Sequence, residues 1–338
     1  MEQLAFTIPD HGQLTQLADD LYWARFQLPF RLNHINLYMI DGKDGWILID
    51  AGICSDETKT QWQALLDGPL QDQPIAQIII THHHVDHIGF AGPLAEMTGA
   101  PVFTSQGEAK KSHWMFDYDE VAFSHFIADT YHRFGMDAAI CEEARQNVGR
   151  FQRHVAPLPR FSYLSDNDVI ISKAGTWHIR LDTGHTQSQI GLYDQERGLY
   201  IAGDFLLPRI SPNIPVDIRD LNFDMLGAYF TYLHEMANMD EAWQIFPGHD
   251  WPFAKGASRA KALISHHQNR LQSLTDAAAA SDLTVHDAMA HLFGKKFEAH
   301  EMYFAAGEAR AHLTHLVATN QMVITEKDGV DYFALSHP

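Results

Sequence analysis

The 338-residue chain is poor in cysteine and in positive charge, and each shortage excludes something. Two cysteines, Cys54 and Cys141, build neither a disulfide framework nor a cysteine-based zinc knuckle. Lys and Arg number 24 against 43 Asp and Glu, a formal net charge of -19. Such a surface repels a polyanion unless cations are locally gathered, so a long nucleic acid is a poor partner. No apolar run reaches the ~18 residues that span a bilayer. The opening stretch MEQLAFTIPDHGQL lacks a basic segment followed by an apolar one, so it does not read as a secretory signal. The expectation is a cytoplasmic protein with no membrane contact. A hydrophobic fraction of 46% is ample for a packed core, in one large domain or a large plus a small one.

Histidine is abundant, with 22 in the chain. Four of them, with one aspartate, crowd into THHHVDHIG at 81–89, directly after the apolar run Ile78-Ile79-Ile80. A loop leaving a strand aims alternate side chains at one point, so His82 and His84 converge while His83 points away. Asp86 and His87, opening the next helix, face a second point close by. Imidazole plus carboxylate suits Zn²⁺, and also Fe or Mn. Three further pieces sit at strand ends: His185 in LDTGHTQSQIG, Asp204 in LYIAGDF and His249 in IFPGHDW. Together the pieces supply five convergent histidines and two aspartates, enough for two divalent metal ions sharing a bridging carboxylate.

The surrounding pattern alternates strand and helix. INLYMIDG and GWILIDAG flank the turn DGKDG; ETKTQWQALLDG is helical; IAQIII is a buried strand; FAGPLAEMTGAPVFTS reads helix, turn, strand. This is an α/β layered architecture. Residues 105–160 read as a helical insertion, with Phe123, Phe126, Ile127, Tyr131 and Phe134 on one stripe. That stripe, with Trp114 and Phe116, forms either an apolar lid over a substrate or buried core. Strands resume with DVIIS, WHIRLDT, QIGLYDQERGLYIAGD and EAWQIFPGHD. Residues 256–338 turn helical and end in a hairpin around KDG, a small winged-helix-like module.

The ordered pieces LIDAG, THHHVDH, TGHT, GD and PGHD resemble the metallo-β-lactamase superfamily of binuclear metal hydrolases over roughly residues 20–255. The resemblance implies an αβ/βα sandwich with the metals at one edge. It implies that His82, His84 and His185 hold one ion, that Asp86, His87 and His249 hold the second, and that Asp204 bridges. Asp50 in LIDAG matches a position that orients the histidine loop. The tail, and the stretch GDFLLPRISPNI, look like the lactamase-beta-2-like subgroup, some of whose members cut RNA. The domain reading is a catalytic domain over 1–255 and a C-terminal winged-helix-like domain over 256–338.

Two metal ions, zinc for a histidine-rich set, lower the pKa of a shared water towards ~7, and the bridging hydroxide attacks the substrate. Asp86 and Asp204 are the catalytic carboxylates that orient it and shuttle its proton. No Ser or Cys nucleophile is indicated, and QNVGR and HIGFAG are too irregular to cradle a phosphate. The favoured substrate is a small ester, thioester or lactone; the alternative is a phosphodiester or RNA. The family's lactam-hydrolysing enzymes carry Cys where Asp204 stands, and many lactonases have a Tyr soon after that Asp, which DFLLPR lacks. Against RNA, residues 256–338 hold seven Lys and Arg and nine Asp and Glu, and GEARAHLTHLVATN has Arg310 as its fixed cation. The tail therefore reads as packing, lid or homodimer contact. Arg209, His267 and Arg270 are candidates for binding a substrate anion, each with a polar surface as the plainer alternative.

Overall fold

The structure, a computed structural model, describes residues 1–149, 152–294 and 299–336. The chain opens with β1 (Glu2–Gln3), then runs up and down through β2 (Thr15–Ala18), β3 (Leu21–Gln27), β4 (His34–Asp41) and β5 (Trp46–Ile49). Helix α1 (Asp56–Asp67) crosses to β6 (Ile75–Ile79), and the short α2 (Val85–Ile88) with α3 (Ala91–Thr98) leads to β7 (Val102–Ser105). Three helices follow, α4 (Gln106–Phe116), α5 (Glu120–Arg133) and α6 (Ala138–Gln146), before β8 (Phe161–Leu164). The second half starts with β9 (Val169–Ile171), β10 (Thr176–Asp182), β11 (Gln189–Asp194) and β12 (Leu199–Gly203). Helix α7 (Met225–Met236) then crosses to β13 (Gln244–Pro247) and β14 (Phe253–Ala254). The tail comprises α8 (Gly256–Ala278), α9 (Val285–Phe293), α10 (Ala299–Ala318) and the hairpin β15 (Met322–Lys327) with β16 (Val330–Leu335).

Two mixed seven-stranded sheets result, ordered β2-β3-β4-β5-β6-β7-β8 and β1-β14-β13-β12-β11-β10-β9. Strand β4 shows why they stack. Nearly every residue of HINLYMID is buried, so both its faces must be covered. Ile35, Leu37 and Met39 point to a layer with Trp62 and Leu65 of α1, Leu94 of α3 and Ala109 of α4. Tyr38 and Ile40 point the other way, with Trp23, Ile47 and Ile79, onto Trp177, Ile179, Ile190, Leu192 and Phe246 of the second sheet. The outer face of the second sheet, through Tyr200, Ala202, Ile245 and Phe253, packs on α7 and on the tail helices. The layers are helix, sheet, sheet, helix: the αβ/βα sandwich expected from the sequence.

Several elements had no clear sequence signal. The short strands β1, β2, β8 and β14 and the helix α7 carry no such signal. Their apolar positions are set by packing partners rather than by a strong period. The insertion is helical as expected, but it returns to β8 in the first sheet, parallel to β7. Its aromatic stripe is largely core. Ile127, Tyr131 and Phe134 are buried in the same cluster as the tail helices, while Phe126 lies 37% exposed. Phe123 stacks on Tyr118 at 3.9 Å and meets Trp114 edge-on at 5.1 Å. The tail is not a loosely tethered module either: Leu263, Leu274, Ala288 and Leu313 share one continuous core with Leu226 and Tyr229 of α7. Among the described residues, no helix is long and apolar enough to cross a membrane.

Candidate metal centre

Five strand ends meet at one edge of the sandwich, where the carboxyl ends of parallel strands leave room for a ligand. Asp50 follows β5, the histidine loop follows β6, His185 follows β10, Asp204 follows β12 and His249 follows β13. The two sheets are tied together at this edge. Asn36 and Tyr38 of β4 both donate to the Pro247 carbonyl, at 2.9 and 2.7 Å, which fixes the loop that presents His249. Gly248 is required there: a Cβ would collide with Asp204 Oδ1 and crowd the His87 ring.

The ligand-type atoms form overlapping groups, His82 with His84 and His185, His82 with His87 and Asp204, and Asp86 with His87 and His249. His84 Nδ1 lies 3.0 Å from both His82 Nε2 and His185 Nε2. His249 Nε2 lies 3.3 Å from Asp86 Oδ2 and from Asp204 Oδ2. His87 Nε2 is 3.5 Å from Asp204 Oδ1, and His185 Nε2 is 3.7 Å from Asp204 Oδ2. All seven anticipated residues are therefore gathered, with Asp204 between the two halves. His83 is turned away, as alternation along the loop required.

The distal nitrogens decide what these rings can do. His87 Nδ1 donates to Asp50 Oδ2 at 2.7 Å. His185 Nδ1 donates to the Asn213 carbonyl at 2.6 Å, and His249 Nδ1 to the His34 carbonyl at 2.8 Å. Thr81 Oγ1 donates to Asp50 at 2.9 Å and accepts from His82 Nδ1, also at 2.9 Å. In its neutral form each of these four rings spends its proton outside the centre and points a bare Nε2 lone pair inward. His84 has one Nδ1 proton at most, so it cannot satisfy both His82 and His185. Lone pairs facing lone pairs in a buried site repel unless a cation lies between them. His87 Nε2 and Asp204 Oδ1 are also buried with no hydrogen-bond partner among the described residues. The donor set fits divalent cations.

The electrostatics divide accordingly. Burial, then the neighbouring imidazoles, hold His82 and His84 well below the ordinary histidine range. Burial alone would raise the Asp204 carboxyl, but the facing His249 and His87 rings outweigh it and keep it well below the carboxylate range. Burial also opposes a charged His249, yet Asp204 and Asp86 push it up to about 10.

Asp50 accepts from Thr81 N at 2.7 Å as well as from the Thr81 hydroxyl and His87. It sits at φ 66°, a conformation a strand-end Asp tolerates better than most residues. Glu108 had no sequence signal. Its carboxylate accepts from His83 N at 2.9 Å, pairs with His83 Nδ1 at 2.6 Å and accepts from Ser188 N at 3.1 Å, clasping the loops that bear His84 and His185. It was invisible because it lies on α4, far in sequence from both loops, and belongs to no motif. His83→Ala should accordingly retain every metal ion the wild type holds. Glu108 keeps its two backbone donors, so a stability loss of about 1–3 kcal/mol is expected. Metal analysis beside His84→Ala checks this; equal metal loss in the two variants would contradict the loop register.

Two of the three substrate-binding candidates are corrected. His267 has no exposed surface; it hydrogen-bonds His312 at 3.2 Å among the rings of Tyr229, Phe230 and His266. Arg270 is committed to Glu308 in a mostly buried ion pair. Both lie where α8 faces α10, so their charge or polarity is used inside the fold. Arg209 is exposed, lies over the Trp251 ring and is 4.0 Å from Asp250 Oδ1, next to His249.

Residues 31–249 match the family model described as "Metallo-beta-lactamase superfamily". Residues 271–336 match "Metallo-beta-lactamase-like, C-terminal domain". The probable metallo-hydrolase YqjP of Bacillus subtilis is 23% identical over 330 residues, covering 94% of this chain and 98% of that one. A crystal structure of a beta-lactamase domain protein from Burkholderia ambifaria superposes with a TM-score of 0.90 at 29% identity, over 99% of this chain and 98% of its own. A metallo-beta-lactamase family protein from Thermus thermophilus shares the fold, with a TM-score of 0.77 at 24% identity over 95% of this chain and all of its own. With its ordered ligand motifs, its sandwich fold and a match over most of its length, the chain belongs to the metallo-β-lactamase superfamily of metal-dependent hydrolases.

Proposed function

We propose that the protein binds two divalent ions and hydrolyses a small ester, thioester or lactone. His82, His84 and His185 would hold one ion, Asp86, His87 and His249 the other, and Asp204 both. The observation that carries this reading is the set of inward-facing imidazole nitrogens, which one His84 proton at most cannot satisfy. Zinc suits the histidine-rich set, with iron and manganese as the alternatives. When bound, the ions supply Lewis acidity and acidify water. The chain's own part is to hold charge and move a proton. Asp50, Thr81, Asn213 and His34 lock the ring tautomers in advance. Asp86 and Asp204 present carboxylate oxygens that take the proton of the attacking water and return it to the leaving group. Arg209, exposed at the rim, is placed to attract a carboxylate or phosphate of the substrate.

The runner-up is a phosphodiesterase or ribonuclease of the lactamase-beta-2-like kind. The order helix, helix, helix, hairpin over 256–335 suits a winged-helix reading of the tail. Phosphate contact needs free cations, however. Arg310, the fixed cation of α10, is 1% exposed and paired with Asp331. This supports a tail that packs rather than grips nucleic acid. A role for it in a homodimer remains a separate proposal, tested by sedimentation.

The test is a hydrolysis screen on metal-reconstituted protein with acyl thioesters, lactones, aryl esters, phosphodiesters and short RNA. Turnover of an acyl substrate, nearly independent of salt from low to moderate ionic strength, is the expected result. Metal-dependent cleavage of single-stranded RNA at low salt, abolished in Asp204→Ala, would replace this reading with the nuclease.

A further inference from the structure

The tail helices do more than cover the second sheet. The segment 204–216 contains the central Asp204 and ends beyond Asn213, whose carbonyl orients His185. This segment is held by α8 and α10 at four points. Arg259 of α8 donates to the carbonyls of Leu207 and Ile210, both at 2.7 Å. Val216 N donates to the Gly307 carbonyl at 3.0 Å. A Cβ at Gly307 would lie 2.9 Å from Pro215 Cβ, so only glycine allows α10 to approach the segment this closely. Finally, Asn213 Nδ2 donates to Glu308 Oε2 at 3.0 Å and to the Phe304 carbonyl at 3.1 Å. Both partners are acceptors, which fixes the orientation of the Asn213 amide.

Glu308 is 6% exposed, an expensive place for a carboxylate. Arg270 of α8 neutralises it. A chain of contacts therefore runs from Arg270 through Glu308 and Asn213 to His185 Nδ1, and so from the tail to the centre. The neighbouring His267 and His312 do not turn Glu308 into a further metal site. The guanidinium already on that carboxylate repels a cation, and His312 Nδ1 is bound to the Glu308 carbonyl at 2.8 Å.

We infer that Glu308 of the C-terminal domain is a positioning residue for the metal centre, acting through Asn213 on His185. Holding the Asn213 side chain fixes the peptide whose carbonyl takes the His185 proton. That sets both the tautomer and the aim of Nε2. The inference rests on the reading of His185 as a metal ligand.

The experiment measures zinc affinity of the full chain by competition with a chromogenic chelator, beside the melting temperature of the metal-free protein. Four variants are compared: Glu308→Ala, Glu308→Gln, Leu274→Ala and His185→Ala. Leu274 is fully buried in α8 and makes no polar contact with the segment, so its truncation reports a merely loosened tail. Glu308→Ala should weaken one of two zinc ions by about 10–100-fold, the usual cost of losing an outer-shell partner. Glu308→Gln, whose amide oxygen still accepts from Asn213, should recover part of that loss. Leu274→Ala should lower the melting temperature and leave both affinities near wild type. Unchanged zinc affinity in Glu308→Ala overturns the inference. So does an equal loss in Leu274→Ala, which would make the role structural. The underlying reading fails separately, by His185→Ala keeping both ions at wild-type affinity.

Discussion

Asp204→Ala should lose one metal ion and lower kcat by on the order of 10³-fold, about 4 kcal/mol of transition-state stabilisation. Among the described residues, Asp204 is the one carboxylate that faces three of the rings, His87 from Oδ1 and His185 and His249 from Oδ2. In the proposed centre its charge would offset cations on both sides. Asp86 reaches only His249 at short range. Asp204→Asn separates charge from shape. The amide keeps one acceptor oxygen but turns an N–H towards imidazole lone pairs or a cation, so it should fall nearly as far as the alanine variant. Elemental analysis and steady-state kinetics on the same preparations check both effects. Two ions and near wild-type kcat in Asp204→Ala would remove Asp204 from the centre.

Removal of metal should be the largest perturbation of stability. Protein purified without chelator is expected to approach two equivalents of metal, and exhaustive chelation should abolish turnover. An ion present at 1,000 times its dissociation constant stabilises the folded chain by about 4 kcal/mol, so two contribute about 8 kcal/mol. For a chain of this length that corresponds to a fall in Tm on the order of 10 °C. The stripped centre keeps buried imidazole lone pairs aimed at one another, which adds to the loss. Restoring zinc should recover both Tm and activity. Full activity in protein containing no metal would end the binuclear reading.

Much of the centre was legible because its ligands are announced locally. His82, His84, Asp86 and His87 lie within six consecutive positions, and His185, Asp204 and His249 each follow a strand by a few residues. Period-2 alternation separates His83 from its neighbours, and the structure pairs it with Glu108. The substrate candidates on α8 fared worse for a general reason. A charged or polar residue on an amphipathic helix looks the same in sequence whether it meets water or a buried partner. Arg270 meets Glu308 and Arg310 meets Asp331, contacts made between α8, α10 and β16. The aromatic stripe of α5 was ambiguous in the same way: the tail it packs against lies more than a hundred residues later.

By itself, then, the sequence determined which histidines and aspartates are candidate ligands, the layered α/β class and the helical character of the tail, because strand ends, ligand spacing and helical period are properties of short segments. The tertiary structure alone decided which nitrogen of each histidine faces the centre. Those protons go to Asp50, Thr81, Asn213 and His34, and three of the four bonds cross between segments distant in sequence. It also decided that the tail shares the hydrophobic core of the second sheet and holds the segment 204–216. Ring tautomers and buried ion pairs depend on partners brought together by folding, and no local pattern of residues specifies them.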